Sequence, residues 1–115
     1  MFRGIGEARL AIKGSPPRLV RRVGPFWRKQ IDLDRVARVI AENVDALTHD
    51  CLQLTLVAGD GRVLQISEFD RDFQGVVAQL TTRFPGIERF AEATPKVPLT
   101  YTKITVWVAP SELSS

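Results

Sequence analysis

The sequence has few of the residues that build redox, metal or covalent catalytic sites. Its 115 residues include one cysteine and one histidine. A single cysteine excludes an internal disulfide, and zinc sites need several Cys or His ligands. We therefore expect a protein of the reducing cytoplasm with no metal and no other cofactor.

Long hydrophobic runs are also missing, because no stretch approaches the roughly 20 apolar residues that a membrane-spanning helix needs. The first ten residues, MFRGIGEARL, are charged and interrupted by glycine, so no secretory signal and no transmembrane segment are expected. The chain length predicts one domain over residues 1–115. Its core is expected over about 5–90, followed by an extended tail over 91–115.

Acidic residues are nearly absent from the first 31 positions. This segment has eight Lys and Arg against Glu7 alone, a net charge of +7. Residues 32–72 have nine acids against four Arg, a net charge of −5. Either the basic segment binds an anionic ligand, or the two halves lie side by side and neutralise each other, which is the favoured interpretation.

The anion-binding alternative rests on basic groups interleaved with the aromatic residues Phe26 and Trp27. Such a pattern suits a phospholipid headgroup or a single-stranded nucleic acid. The candidate residues lie in the segment 18–29: Arg18, Arg21, Arg22, Arg28 and Lys29.

Short segments between turn residues predict strands at the start of the chain. Ala8, Leu10 and Ile12 alternate with more polar residues, as in a half-buried strand. RLVRRV (18–23) is too short for a helix between its Pro and Gly boundaries, and FWRKQIDL (26–33) predicts a third strand.

Residues 34–47 can be interpreted as a helix or as a strand. The spacing of Val36, Val39, Ile40, Val44 and Leu47 favours a helix. We nevertheless predict a strand over residues 35–45, after a single turn at residues 33–35, with the Val36–Val39 spacing marking a bulge or that turn. The reason is the family resemblance described below.

The next segment predicts a β-hairpin. A two-residue turn at Asp60-Gly61 would put Leu54 and Leu56 on the opposite face from Leu64 and Ile66. A three-residue loop over 59–61 places all four on one face, so burial selects the longer loop with Gly61 in the left-handed conformation.

One amphipathic helix is predicted after this hairpin. An apolar stripe at helical spacing marks it, and Pro85-Gly86 ends it: Phe73, Val76, Val77, Leu80 and Phe84. Asp70 or Asp72 is expected to cap its start, and Gly75 is expected to allow close contact with the sheet.

This order of features resembles bacterial domains with a pleckstrin-homology-like (PH-like) fold. The resemblance covers about residues 27–90 and rests on the hydrophobic pair around Val39-Ile40, the strand to Leu56, the Asp60-Gly61 turn, the Ile66–Glu68 strand end and the closing helix. It implies an α+β fold with an antiparallel, partly closed sheet and one helix. In such domains the early strands and their loops can hold a phospholipid headgroup.

The tail departs from this pattern. YTKITVWV (101–108) predicts an extra strand that is apolar on both faces, with Ile104, Val106 and Val108 on one side and Tyr101, Thr105 and Trp107 on the other. An uncovered strand of this kind pairs with another chain. We therefore expect a homodimer or a protein partner, with interface residues Tyr101, Ile104, Val106 and Trp107, although the strand could instead join its own sheet.

Two clusters contain residue types that can support catalysis or metal binding. His49 and Cys51 are two residues apart, about 7 Å along a strand, which is too far for a nucleophile–base pair. Glu68, Asp70 and Asp72 lack the ligand spacing and mid-loop glycine of a calcium loop. The sequence therefore predicts a non-catalytic binding module, not an enzyme, that binds a protein partner or itself, with anion binding as the alternative.

Overall fold

In the computed structural model, residues 8–25, 27–45, 50–89 and 101–110 are described. They form two antiparallel sheets and one α-helix, α1 (Phe73–Arg83). The first sheet has three strands in chain order: β1 (Ala8–Lys13), β2 (Arg18–Val23) and β3 (Trp27–Asp32). The second has the order β6-β5-β4-β7: β4 (Val36–Asp45), β5 (Asp50–Ala58), β6 (Val63–Ser67) and β7 (Tyr101–Val108).

β1 follows the predicted alternation, and each strand of the first sheet contributes apolar residues to the core. Leu10 on β1, Leu19 on β2 and Ile31 on β3 are buried on the face that turns towards the core. The register pairs Leu19 with both Ile12 and Ile31, so the apolar side chains form a row across three strands. β1 and β2 thus turn one apolar face towards the core, whereas β3 contributes Ile31 to it and is exposed from Trp27 to Gln30.

The segment whose interpretation was ambiguous forms a strand, as predicted. A 3-10 turn at Leu33–Arg35 precedes β4, and the pairing of β4 with β5 shifts between Val36 and Arg38. This bulge adds one residue, so Val36 is buried on the same face as Val39 and Ala41. The apparent helical spacing is therefore the signature of a bulged strand.

The β5–β6 hairpin has the predicted register. Leu56 pairs with Leu64 and Leu54 pairs with Ile66, and all four side chains are buried. Gly61 has a φ of 96°, the left-handed conformation that the three-residue loop requires.

The helix α1 also forms as predicted and buries its apolar stripe in the core that it shares with both sheets. Two details differ from the prediction. The N-cap residue, Asp72, makes no side-chain hydrogen bond to the helix. Gly75 is exposed, and a Cβ placed there would meet no atom within 4 Å, so it makes no close contact with the sheet.

The extra strand at the end of the chain is confirmed, and it lies at the edge of the second sheet, antiparallel to β4. The predicted alternation of its faces is interrupted by a register shift: Val39 pairs with Trp107, but Ile40 pairs with Thr105. Val106 is therefore an extra residue in the ladder and is buried in the core, while Trp107 packs against that core as well.

The architecture is α+β and antiparallel, with the helix after the last hairpin and one further strand behind it. Residues from both sheets and from α1 form one hydrophobic cluster. Among the described strands the two sheets do not close into a barrel.

Candidate anion-binding cleft

The outer face of the first sheet carries most of the positive charge of the basic segment. Residues that face each other in an antiparallel pair lie on the same side of the sheet. The register therefore places three rows on the outer face, each running from β1 across β2 to β3: Arg9–Arg22–Arg28, Ala11–Val20–Gln30 and Lys13–Arg18–Asp32.

The first of these rows consists of three arginines side by side. Arg22 on the central strand lies directly opposite Arg9 on one side and Arg28 on the other. Like charges in directly opposed positions destabilise a sheet. We name this set, Arg9, Arg22 and Arg28, the arginine row.

A cleft of about 270 Å³ lies over this face, with the arginine row at one end. The middle row forms its floor, where Val20 is buried although it points away from the core. Lys13 and Arg18 line the opposite end. An ideal Cβ at Gly14 would lie 3.2 Å from a terminal nitrogen of Arg18, so this guanidinium lies against the β1–β2 turn.

Asp72 is the one carboxylate that lines the cleft in the described part of the chain. Its backbone has a φ of 71°, a left-handed conformation that Asp tolerates better than most residues. The preceding residue, Arg71, forms a bridge with Arg9, in which its amide nitrogen donates to Ala8 and its carbonyl accepts from Leu10. These bonds hold Asp72 near the arginine row.

The five cations of the cleft form no ion pair with the described acidic residues. The pairs that do form within these ranges lie elsewhere: Arg21–Asp70, Arg35–Asp32, Arg62–Asp60 and Arg83–Asp34. The basic segment was expected to be neutralised by the acidic residues of 32–72. Within the described ranges, Arg21 is the one residue of the basic segment that forms an ion pair with them. The cleft keeps a strong local excess of positive charge.

Sequence reasoning named five anion-binding candidates, and the structure divides them between two faces. Arg18, Arg22 and Arg28 line the cleft. Arg21 on β2 and Lys29 on β3 occupy directly opposed positions in the register and lie on the other face. There, Arg21 binds the buried carboxylate of Asp70.

Two cleft residues, Arg9 and Lys13, were missed by sequence reasoning. The signal was present in the alternation of β1: if Leu10 and Ile12 face the core, Arg9 and Lys13 face outwards. The sequence does not reveal the pairing of β1 with β2, which sets Arg9 opposite Arg22 and Lys13 opposite Arg18.

The aromatic, histidine and cysteine side chains add little to the cleft. Trp27 is exposed but shares the face of Lys29, and Phe26 lies outside the described residues. His49 also lies outside the described residues. For Cys51 only the backbone is described, as part of β5. Within the described residues no three His, Cys, Asp or Glu side chains come together as metal ligands.

The predicted interface residues lie in β7. Trp107 contacts Phe84 edge to face, with ring centroids 4.5 Å apart, and Ile104 is half-buried beside the core. Val106 is buried, and its carbonyl accepts a weak hydrogen bond of 3.4 Å from Arg89. For Tyr101 only the backbone is described, paired with Val44.

No helix in the described part of the chain has both the length and the apolar character needed to cross a membrane. No protein-family model matches the sequence, and comparisons with curated proteins and with solved structures find no match either. The cleft must therefore be interpreted from its own chemistry.

Proposed function

We propose that the protein is a non-catalytic binding module that holds an anionic ligand in the cleft on its first sheet. Arginine binds phosphate and carboxylate groups through paired N–H donors, and the cleft offers four arginines and one lysine. Guanidinium groups stay protonated near neutral pH, so they hold an anion but do not exchange protons with it. This supports binding over acid–base catalysis.

The arginine row is the observation that carries the proposal. Three like charges in directly opposed positions raise the free energy of the folded sheet, since each neighbouring pair repels. Residues that work against stability without a partner inside the fold are typical of functional sites. A bound anion between Arg9, Arg22 and Arg28 would remove this repulsion.

The proposal extends to the scaffold of the module and to its cellular location. The antiparallel sheets and the helix that follows the β5–β6 hairpin are compatible with the PH-like scaffold that the sequence resembles, whereas β7 after the helix departs from it. We place the protein in the reducing cytoplasm, because its single cysteine cannot form an internal disulfide.

The test is the substitution Arg22→Gln, with inorganic pyrophosphate as the probe. Isothermal titration at low ionic strength should show binding to the wild type that weakens as salt is added. Arg22→Gln should weaken binding by about fivefold or more, because it removes one charged hydrogen-bond donor. The same change should raise the free energy of unfolding slightly, by up to about 1 kcal/mol, because the repulsion is relieved.

Arg62→Gln is the matched control, because Arg62 is exposed, lies in the β5–β6 loop and pairs only with Asp60 among the described acids. It should leave pyrophosphate binding unchanged. Equal loss of binding in both variants would show a diffuse charge effect and would contradict a site in the cleft. No measurable binding to the wild type would contradict the proposal as a whole.

Self-association through β7 is the second candidate function. β7 lies at the edge of its sheet, with β4 on one side and no described strand on the other. Unpaired strand edges pair with a second copy of the chain. The Val106 carbonyl already accepts a hydrogen bond from Arg89. Pairing of β7 with a second copy of the chain would therefore involve the first half of the strand.

Sedimentation equilibrium tests this second candidate. A dimer should form at tens of micromolar, a concentration that corresponds to a standard binding free energy of about −6 kcal/mol. Thr102→Pro, in the first half of β7, should weaken it, because proline removes a backbone donor from the strand. A monomer at these concentrations would rule out association at useful strength.

A further inference from the structure

The cleft has two charged ends separated by an uncharged floor. The arginine row and Asp72 form one end, and Lys13 with Arg18 forms the other, in the same cross-strand row as Asp32. Arg9 and Lys13 are four residues apart on β1, so their Cα atoms are separated by about 13 Å, at about 3.3 Å per residue. Arg22 and Arg18 have the same separation on β2.

The floor between the two ends is suited to an uncharged group. Ala11 and Val20 present methyl groups there, and the Gln30 amide on β3 offers both a donor and an acceptor. A single compact anion would occupy one end and leave the other end without a bound anion.

From this arrangement we infer that the ligand is a linear molecule with two anionic groups, phosphate or carboxylate, joined by an uncharged linker that lies along the floor. The inference rests on the proposed function, because it names the ligand class for the same cleft. Two linked anions bind more tightly than either alone, since the second binds as part of the same molecule when the linker spans both ends.

A length series of ligands tests the inference on the full chain. The probes are alkanediol bisphosphates from ethanediol to dodecanediol, with pyrophosphate as the compact reference. Affinity should rise to a maximum at the length that reaches both ends in extended form, about tenfold above pyrophosphate. Alkane dicarboxylates of the same lengths identify the anionic group, and a length optimum in either series supports the inference.

Two single-end variants make the test specific. Arg9→Gln and Lys13→Gln each remove one exposed cation from opposite ends of the cleft. Each should abolish most of the length preference, and Arg9→Gln should also weaken pyrophosphate binding, because it removes one member of the arginine row. Lys103→Gln, an exposed position on β7, is the control for net charge.

The outcomes separate this inference from the proposed function. Affinity that does not depend on linker length, together with measurable pyrophosphate binding, would overturn the two-ended ligand and leave the anion site intact. Absence of binding for every probe would overturn both. A length preference that survives Arg9→Gln and Lys13→Gln would overturn the assignment of the two ends.

Discussion

Gly86 occupies a position where an added methyl group would be crowded. Its φ of 104° lies in the left-handed region, and a Cβ there would come within 3.0 Å of the Val106 carbonyl oxygen on β7. The atom that it would meet is backbone, which has little freedom to move. The absence of a side chain at residue 86 lets the turn after α1 approach β7 without this crowding.

Gly86→Ala should therefore lower the free energy of unfolding by about 1–3 kcal/mol. Gly75→Ala, in the exposed interior of α1, is the matched comparison and should raise it by about 0.5–1 kcal/mol. Chemical denaturation of both variants measures the difference. Similar small effects at the two positions would contradict the close approach of the turn to β7.

At the scale of elements, the fold depends on the contact between α1 and the sheets. The helix is 11 residues long, too short to be stable in isolation, so burial of its apolar stripe must stabilise it. Leu80 on this stripe and Leu54 on β5 are both buried in the same cluster.

Leu54→Ala and Leu80→Ala should each destabilise the protein by about 2–5 kcal/mol, because each leaves a cavity in the core. Val63→Ala, at a half-exposed position on β6, should cost less than about 1 kcal/mol. Urea denaturation measures these differences, provided that the m-value is the same for the wild type and the variants. A cost below about 1 kcal/mol at either leucine would show that the core is packed differently.

At the scale of the whole molecule, Arg21 and Asp70 join the first sheet to the segment between β6 and α1. The Arg21 guanidinium donates to both carboxylate oxygens of Asp70, at 3.0 and 3.3 Å. The Asp70 side chain is 5% exposed and also accepts from the Ser67 amide at 2.9 Å. This ion pair fixes the strand that carries Arg22 relative to the segment that carries Asp72.

A double-mutant cycle with Arg21→Ala and Asp70→Ala should give a coupling energy of about 1–2 kcal/mol, as for partly buried hydrogen-bonded pairs. Arg21→Ala alone should cost more than Arg35→Ala, because the pair of Arg35 with Asp32 is exposed. Coupling near zero would mean that other contacts dock the two parts.

The local sequence determined most of the secondary structure. Alternation identified β1, Pro and Gly boundaries identified β2, and β-branched and aromatic composition identified β7. Burial selected the register of the β5–β6 hairpin, and an apolar stripe identified α1. These patterns are local, because they depend on the period of a strand or helix and on which face is apolar.

Tertiary structure decided what the local pattern could not. The bulges in β4 and β7 depend on the partner strand, so the helical spacing around Val36 and the two-faced pattern around Val106 were ambiguous in the sequence. The cleft depends on pairing as well. The sequence showed a basic segment, but only the register across three strands set Arg9 and Arg28 beside Arg22 and turned Arg21 and Lys29 to the other face, because side-chain direction alternates and pairing is non-local.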